Sequence, residues 1–155
     1  RRFDETLEFY KRFFETASIM GADIAVIHGS LSPAKISKEE YFERFSKLIE
    51  AGKAFGVRVA PENVRKHLNE SPDFLKEMKN ALGNDFKLVF DIKQSVLAGY
   101  NPIEFAKTFA NDIIHIHISD HNSESAFRNR RALFCCRIYI LLLYIVALYV
   151  KINNI

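Results

Sequence analysis

IIHIHISD, residues 113–120, alternates apolar Ile114, Ile116 and Ile118 with polar His115, His117 and Ser119. A period of two marks a strand with one apolar face and one face free for chemistry. Three earlier apolar runs also finish on a side chain able to bind a metal: IAVIH at His28, VRVAPE at Glu62 and KLVFD at Asp91. Successive ends lie roughly 30 residues apart, the length of one strand–helix–strand unit. Taken singly, each is an ordinary polar residue at a strand end. Taken together, they put imidazoles and carboxylates at one end of a parallel sheet, where α/β barrels carry their active sites.

The segments between these strands read as helices. Leu7, Tyr10, Phe13, Phe14 and Ala17 recur at helical spacing over residues 4–20, ahead of Gly21. Ser37-Lys38-Glu39-Glu40 matches a capping box, in which Ser37 and Glu40 satisfy first-turn amides. The helix behind it buries Tyr41, Phe42, Phe45, Leu48 and Ile49 and stops near Gly56. Ser71 and Pro72 open a third helix, with Phe74, Leu75, Met78 and Leu82 as its stripe. Asn101-Pro102 opens a fourth, with Ile103, Ala106, Phe109 and Ala110 facing inward. The order α-β-α-β-α-β-α-β predicts a parallel sheet covered by helices.

The totals set limits. A chain of 155 residues, 48% apolar and 26% charged, is one ordinary globular domain with a sizeable core. A net charge of +3 and no basic stripe interleaved with aromatics argue against nucleic acid as a partner. The two cysteines, Cys135 and Cys136, are neighbours with no wider framework, so a reducing, cytoplasmic setting is expected. Arg1 opens directly onto a charged helical pattern, so a signal peptide is not expected.

The character changes after Asn122. FRNRR leads into an apolar run, of which Ile138–Val150 is uninterrupted. That run is shorter than the roughly 17–25 residues a spanning helix needs, so a membrane anchor is not expected. It has no cap, turn signal or period. The chain therefore divides into 1–122, an α/β unit, and 123–155, a divergent apolar tail of the kind a frameshift, wrong exon or readthrough would produce.

His28, Glu62, Asp91 and His117 form a mixed imidazole and carboxylate set. Such a set suits one divalent ion, with Mn, Co, Zn and Mg all open. In their contexts, GADIAVIHGS, VRVAPENV, LVFDIKQSVLAG and HIHISD, these residues resemble the xylose isomerase-like TIM-barrel superfamily. That group holds sugar (phosphate) isomerases and epimerases and also endonuclease IV. The resemblance covers roughly residues 1–122. It implies a partial (β/α)8 TIM barrel of about four βα units, with Glu62, Asp91 and His117 as metal ligands. His28 falls at a position that is a ligand in the endonuclease branch and a pocket residue elsewhere. Asp120 falls at a pocket position that orients a neighbour.

Two departures stand out. The family often carries Asp-x-x-His on the strand of Asp91, and here the last position is Gln94. The family's last metal ligand, a Glu on a later strand, has no match. The resemblance implies a metal-dependent sugar or sugar phosphate isomerase or epimerase working through an enediolate, with Glu62 as ligand and base. His28 and Gln94 would contact substrate hydroxyls. This chain is expected to be a truncated, inactive copy. The alternatives are an endonuclease IV-like hydrolase of abasic DNA, which Gln94 disfavours, and a non-catalytic remnant.

Overall fold

The computed structural model describes residues 2–119; the proposed tail, Asp120 and both cysteines lie outside them. The elements are α1 (Arg2–Ile19), β1 (Ile24–Ile27), α2 (Lys38–Lys53), β2 (Arg58–Pro61), α3 (Pro72–Leu82), β3 (Leu88–Asp91), α4 (Ile92–Leu97), α5 (Pro102–Thr108) and β4 (Ile113–His117). Single 3-10 turns occupy Leu68–Glu70 and Gly83–Asp85. β1 pairs parallel with β2, and β3 parallel with β4. One parallel bridge, Glu62–Val89, joins the two pairs. The four strands follow one another in chain order as part of an α/β barrel wall, with helices on one side.

Local chemistry sets the element starts. Ser37 Oγ accepts from Glu40 N at 3.2 Å, Ser71 Oγ from Phe74 N at 3.4 Å, and Asn101 Oδ1 from Ile103 N at 2.9 Å. Only half of the expected capping box forms as written. The Glu40 carboxylate turns to Arg44 at 2.5 Å, one helical turn on. Glu39 takes up the Ser37 side chain instead, and main-chain and Ser37 hydrogen bonds hold its carboxyl below the usual range.

Ala25 and Ile27 of β1, Val57 and Val59 at β2, Leu88 and Phe90 of β3, and Ile113 and Ile116 of β4 all join the helix-side core. They meet Phe14, Phe45, Leu75, Met78, Phe105 and Phe109 there. Because side chains alternate along a strand, the opposite face carries His28, Glu62, Asp91 and His117.

Four expectations are corrected. The alternation in β4 is broken at its start: Leu88 pairs with Ile113 but Val89 with His115, so Ile114 is a bulge residue. Ile118, expected on the apolar face, lies past the strand and is 49% exposed. Phe13 is 55% exposed, because α1 packs mainly against α2 and it is the neighbouring Phe14 that turns into the core. Ile103 is 38% exposed; the inward face of α5 carries Phe105, stacked on Phe90 at 4.9 Å. α4 was also not foreseen: Asp91 ends β3 and caps the next helix at once.

Candidate metal centre

Parallel pairing puts all four strand ends at the same end of the sheet. Asp91 and His117 are direct partners across β3 and β4. Glu62 follows β2 at the single bridge to Val89. The structure brings Glu62, Asp91 and His117 together, each offering one ligand atom within 4.8 Å of the others.

Glu62 is the buried member, at 4% exposure. A buried carboxylate must be partnered, and both its oxygens are. Oε1 lies 2.6 Å from His117 Nδ1, and Oε2 lies 3.0 Å from His28 Nε2. His28 therefore adjoins the cluster, one residue past β1, with its side chain 61% exposed. Its ring also meets His67 edge-on at 5.9 Å. Asp91 Oδ1 accepts from Gln94 N at 2.9 Å, which leaves the second oxygen for the site. Gln94 sits on α4, and its Oε1 accepts from Arg65 N at 3.0 Å. Asp120 lies outside the described residues.

The sequence reading missed the residues behind these groups. Asn63, 1% exposed, is bonded to the main chain of Asp91 on both sides. Asn69, 0% exposed, donates to His28 O at 3.1 Å and accepts from the Tyr41 hydroxyl at 3.0 Å. Burial pushes the Tyr41 phenol up to about 12. Gly29, at φ +78°, lets the chain turn tightly beside this group; a Cβ there would lie 2.8 Å from Asn69 Nδ2 and closer still to Tyr41 Oη. Asn63 was visible in the sequence as the residue after Glu62. Nothing local marked Asn69.

The donor set fits a divalent ion. Ligands about 2.1 Å from a common centre lie no more than about 4.2 Å apart. The observed cluster needs only a small contraction to reach that. Two carboxylates and an imidazole suit Zn, Mn or Co, and the carboxylates suit Mg. Bound there, an ion would be held by Glu62, Asp91 and His117, replacing the imidazole contact that now satisfies Glu62 Oε1.

Residues 1–134 match the family described as xylose isomerase-like TIM barrel. No curated protein matches the chain. Among solved structures, the probable 3-DHS dehydratase AsbF of Bacillus anthracis, involved in petrobactin synthesis, superposes with a TM-score of 0.72 at 17% identity. That match covers 83% of this chain and 50% of that one. A D-tagatose 3-epimerase-like protein gives 0.63 at 24% identity, covering 77% and 49%. The IOLI protein, described with a binding zinc atom, gives 0.65 at 23%, covering 77% and 46%. The chain spans about half the length of these structures. At such identities the likeness is one of fold. Among the described residues, no helix is long and apolar enough to cross a membrane.

Proposed function

Because this chain belongs to the xylose isomerase-like TIM-barrel family, we propose that Glu62, Asp91 and His117 hold one divalent ion for the isomerisation or epimerisation of a sugar or sugar phosphate. The observation that carries the reading is the meeting of three ligand atoms from three strand ends within 4.8 Å, with a buried carboxylate among them. Solved relatives described as epimerase-like and as zinc-bound are consistent with it. An ion at this site supplies Lewis-acid polarisation of a carbonyl.

The protein's own part is positioning and proton transfer. On this reading Glu62, whose Oε2 lies on the side of His28, would take a proton from the carbon beside the substrate carbonyl and return it. His28 is exposed enough to meet a substrate hydroxyl while touching that same oxygen. On this reading Gln94, whose Oε1 accepts from Arg65 N, would reach a substrate hydroxyl through its NH2 group.

Titration of the full chain with Mn or Zn tests the reading. The expected result is one ion per chain, with Glu62→Gln and Asp91→Asn each weakening binding more than about tenfold. No uptake by the unaltered chain, or uptake by both variants as tight as that of the unaltered chain, would falsify it.

A further inference from the structure

The two carboxylates of the site come from strands that barely pair. A parallel register continuing from the Glu62–Val89 bridge would set Val64 opposite Asp91. The main chain does not continue that way. Val64 N turns back onto Glu62 O at 2.8 Å. In the vacated position lies the side chain of Asn63: Oδ1 accepts from Asp91 N at 2.6 Å, and Nδ2 donates to Asp91 O at 2.9 Å. The amide orientation is fixed, since a main-chain N–H only donates and a carbonyl only accepts. A carboxamide presents a donor and an acceptor as a peptide group does, so it can complete a ladder the backbone has left.

We propose that Asn63 is a positioning residue that substitutes for a missing rung between β2 and β3 and so sets the separation of the Glu62 and Asp91 carboxylates. The inference rests on the metal reading of those carboxylates. Asn63 holds the main chain of Asp91, and Gln94 N holds its Oδ1 at 2.9 Å, so both the backbone and the carboxylate of this ligand are anchored. Asn63 is also the next residue after Glu62, so the same peptide segment carries one ligand and holds the other. A buried amide in this place stabilises a spacing and not merely a fold. Removing it leaves both the N–H and the carbonyl of Asp91 without those partners.

The test uses the full chain and two variants. Asn63→Asp keeps the shape, loses the donor and sets a carboxylate against the Asp91 carbonyl; Asn63→Ala removes the group. Phe109→Leu, at a buried position beside Phe86 and the start of β4, the opposite end of these strands from Asp91 and His117, serves as the stability control. In the metal-free proteins, hydrogen exchange at the Asp91 amide is expected to quicken at least about tenfold in both Asn63 variants and not in the control. Mn and Zn affinity is expected to weaken about 10–100-fold in the variants, while the control melts earlier and binds as before. Unchanged Asp91 exchange in both variants overturns the assignment, whatever the metal does. Altered exchange with unaltered affinity overturns its bearing on the site. If the unaltered chain takes up neither ion, the metal reading falls and the ligand-spacing role with it, while the exchange data still decide whether Asn63 holds Asp91.

Discussion

β3 has a different kind of neighbour on each side. Toward β4 it runs in a ladder that sets Val89 against His115, Phe90 against Ile116 and Asp91 against His117. Toward β2 there is one backbone bridge, and beyond it the contacts are made by side chains: Asn63 to Asp91, and Gln94 to Arg65. The spacing of Asp91 and His117 is therefore written in main-chain groups that nearly every residue carries. The spacing of Glu62 and Asp91 is written in two amide side chains, each removable by a single substitution. The first is robust to sequence change, and the second is adjustable. The end of β1 combines the two: Glu62 N donates to Ile27 O at 3.0 Å, continuing the β1–β2 ladder, while Asn69, itself bonded to Tyr41, donates to His28 O.

The comparison breaks most visibly on the ladder side. Phe90 is 3% exposed and lies almost flat on Phe105, with rings tilted by 13°. Phe90→Ala should cost about 3–5 kcal/mol, the range for truncating a buried aromatic. That is a large share of a small domain's stability. Urea unfolding measures it. A loss no greater than that of Asn63→Ala would show that the stitched junction carries as much of the fold as the core does, and the contrast would collapse.

The support behind β1 gives the next effect, through pH. Burial raises the Tyr41 phenol from 10.0 to about 12, so the folded chain holds this proton more tightly than the unfolded one. The stability it contributes is fully present below pH 10 and is lost as pH rises toward about 12, by roughly 3 kcal/mol in all. Lys53, held above its ordinary value by Asp85 and then Glu50, acts in the same alkaline range. Tyr41→Phe separates the two. It should be less stable at neutral pH, because Asn69 Oδ1 loses its donor, yet show a flatter decline between pH 10 and 12. Parallel alkaline curves for the two proteins would refute the assignment.

The frame common to both sides of β3 was legible in the sequence. Strand ends at Glu62, Asp91 and His117 could be located from apolar runs and unit spacing, and helix starts at Ser37, Ser71 and Asn101 from local capping chemistry. What escaped depends on pairing between segments far apart. The bulge at Ile114 exists only relative to Leu88 and Val89. Which face of α5 turns inward is set by the Phe90 ring, on which Phe105 stacks, and Ile103, two residues earlier, is left on the outer side. Asn63 reads as an ordinary loop residue until β3 is brought beside it. Asp91 was taken as a ligand alone, yet it also caps α4, a helix too short to show a period.

The smallest effect concerns Gln94, for which the sequence and the structure suggest different work. As a substrate contact, its loss would alter binding and leave folding untouched. As the second stitch across the β2–β3 junction, its Oε1 accepts from Arg65 N, and its loss should be felt in the free protein. Gln94→Ala removes the side-chain acceptor but keeps the main-chain N–H that caps Asp91 Oδ1. The lost hydrogen bond is partly exposed and worth about 1 kcal/mol. Alanine's better helix propensity in α4 returns a few tenths of a kcal/mol. The net cost should therefore fall near 0.5 kcal/mol by an order-of-magnitude reckoning, well below that of Asn63→Ala, where two buried bonds are lost. Amide exchange sharpens the point: Arg65 N should exchange faster in Gln94→Ala, while Asp91 N stays protected by Asn63. Faster exchange at both would mean that the two amides act as one unit. No change at Arg65 would return Gln94 to the substrate side alone and leave Asn63 as the single stitch between these strands.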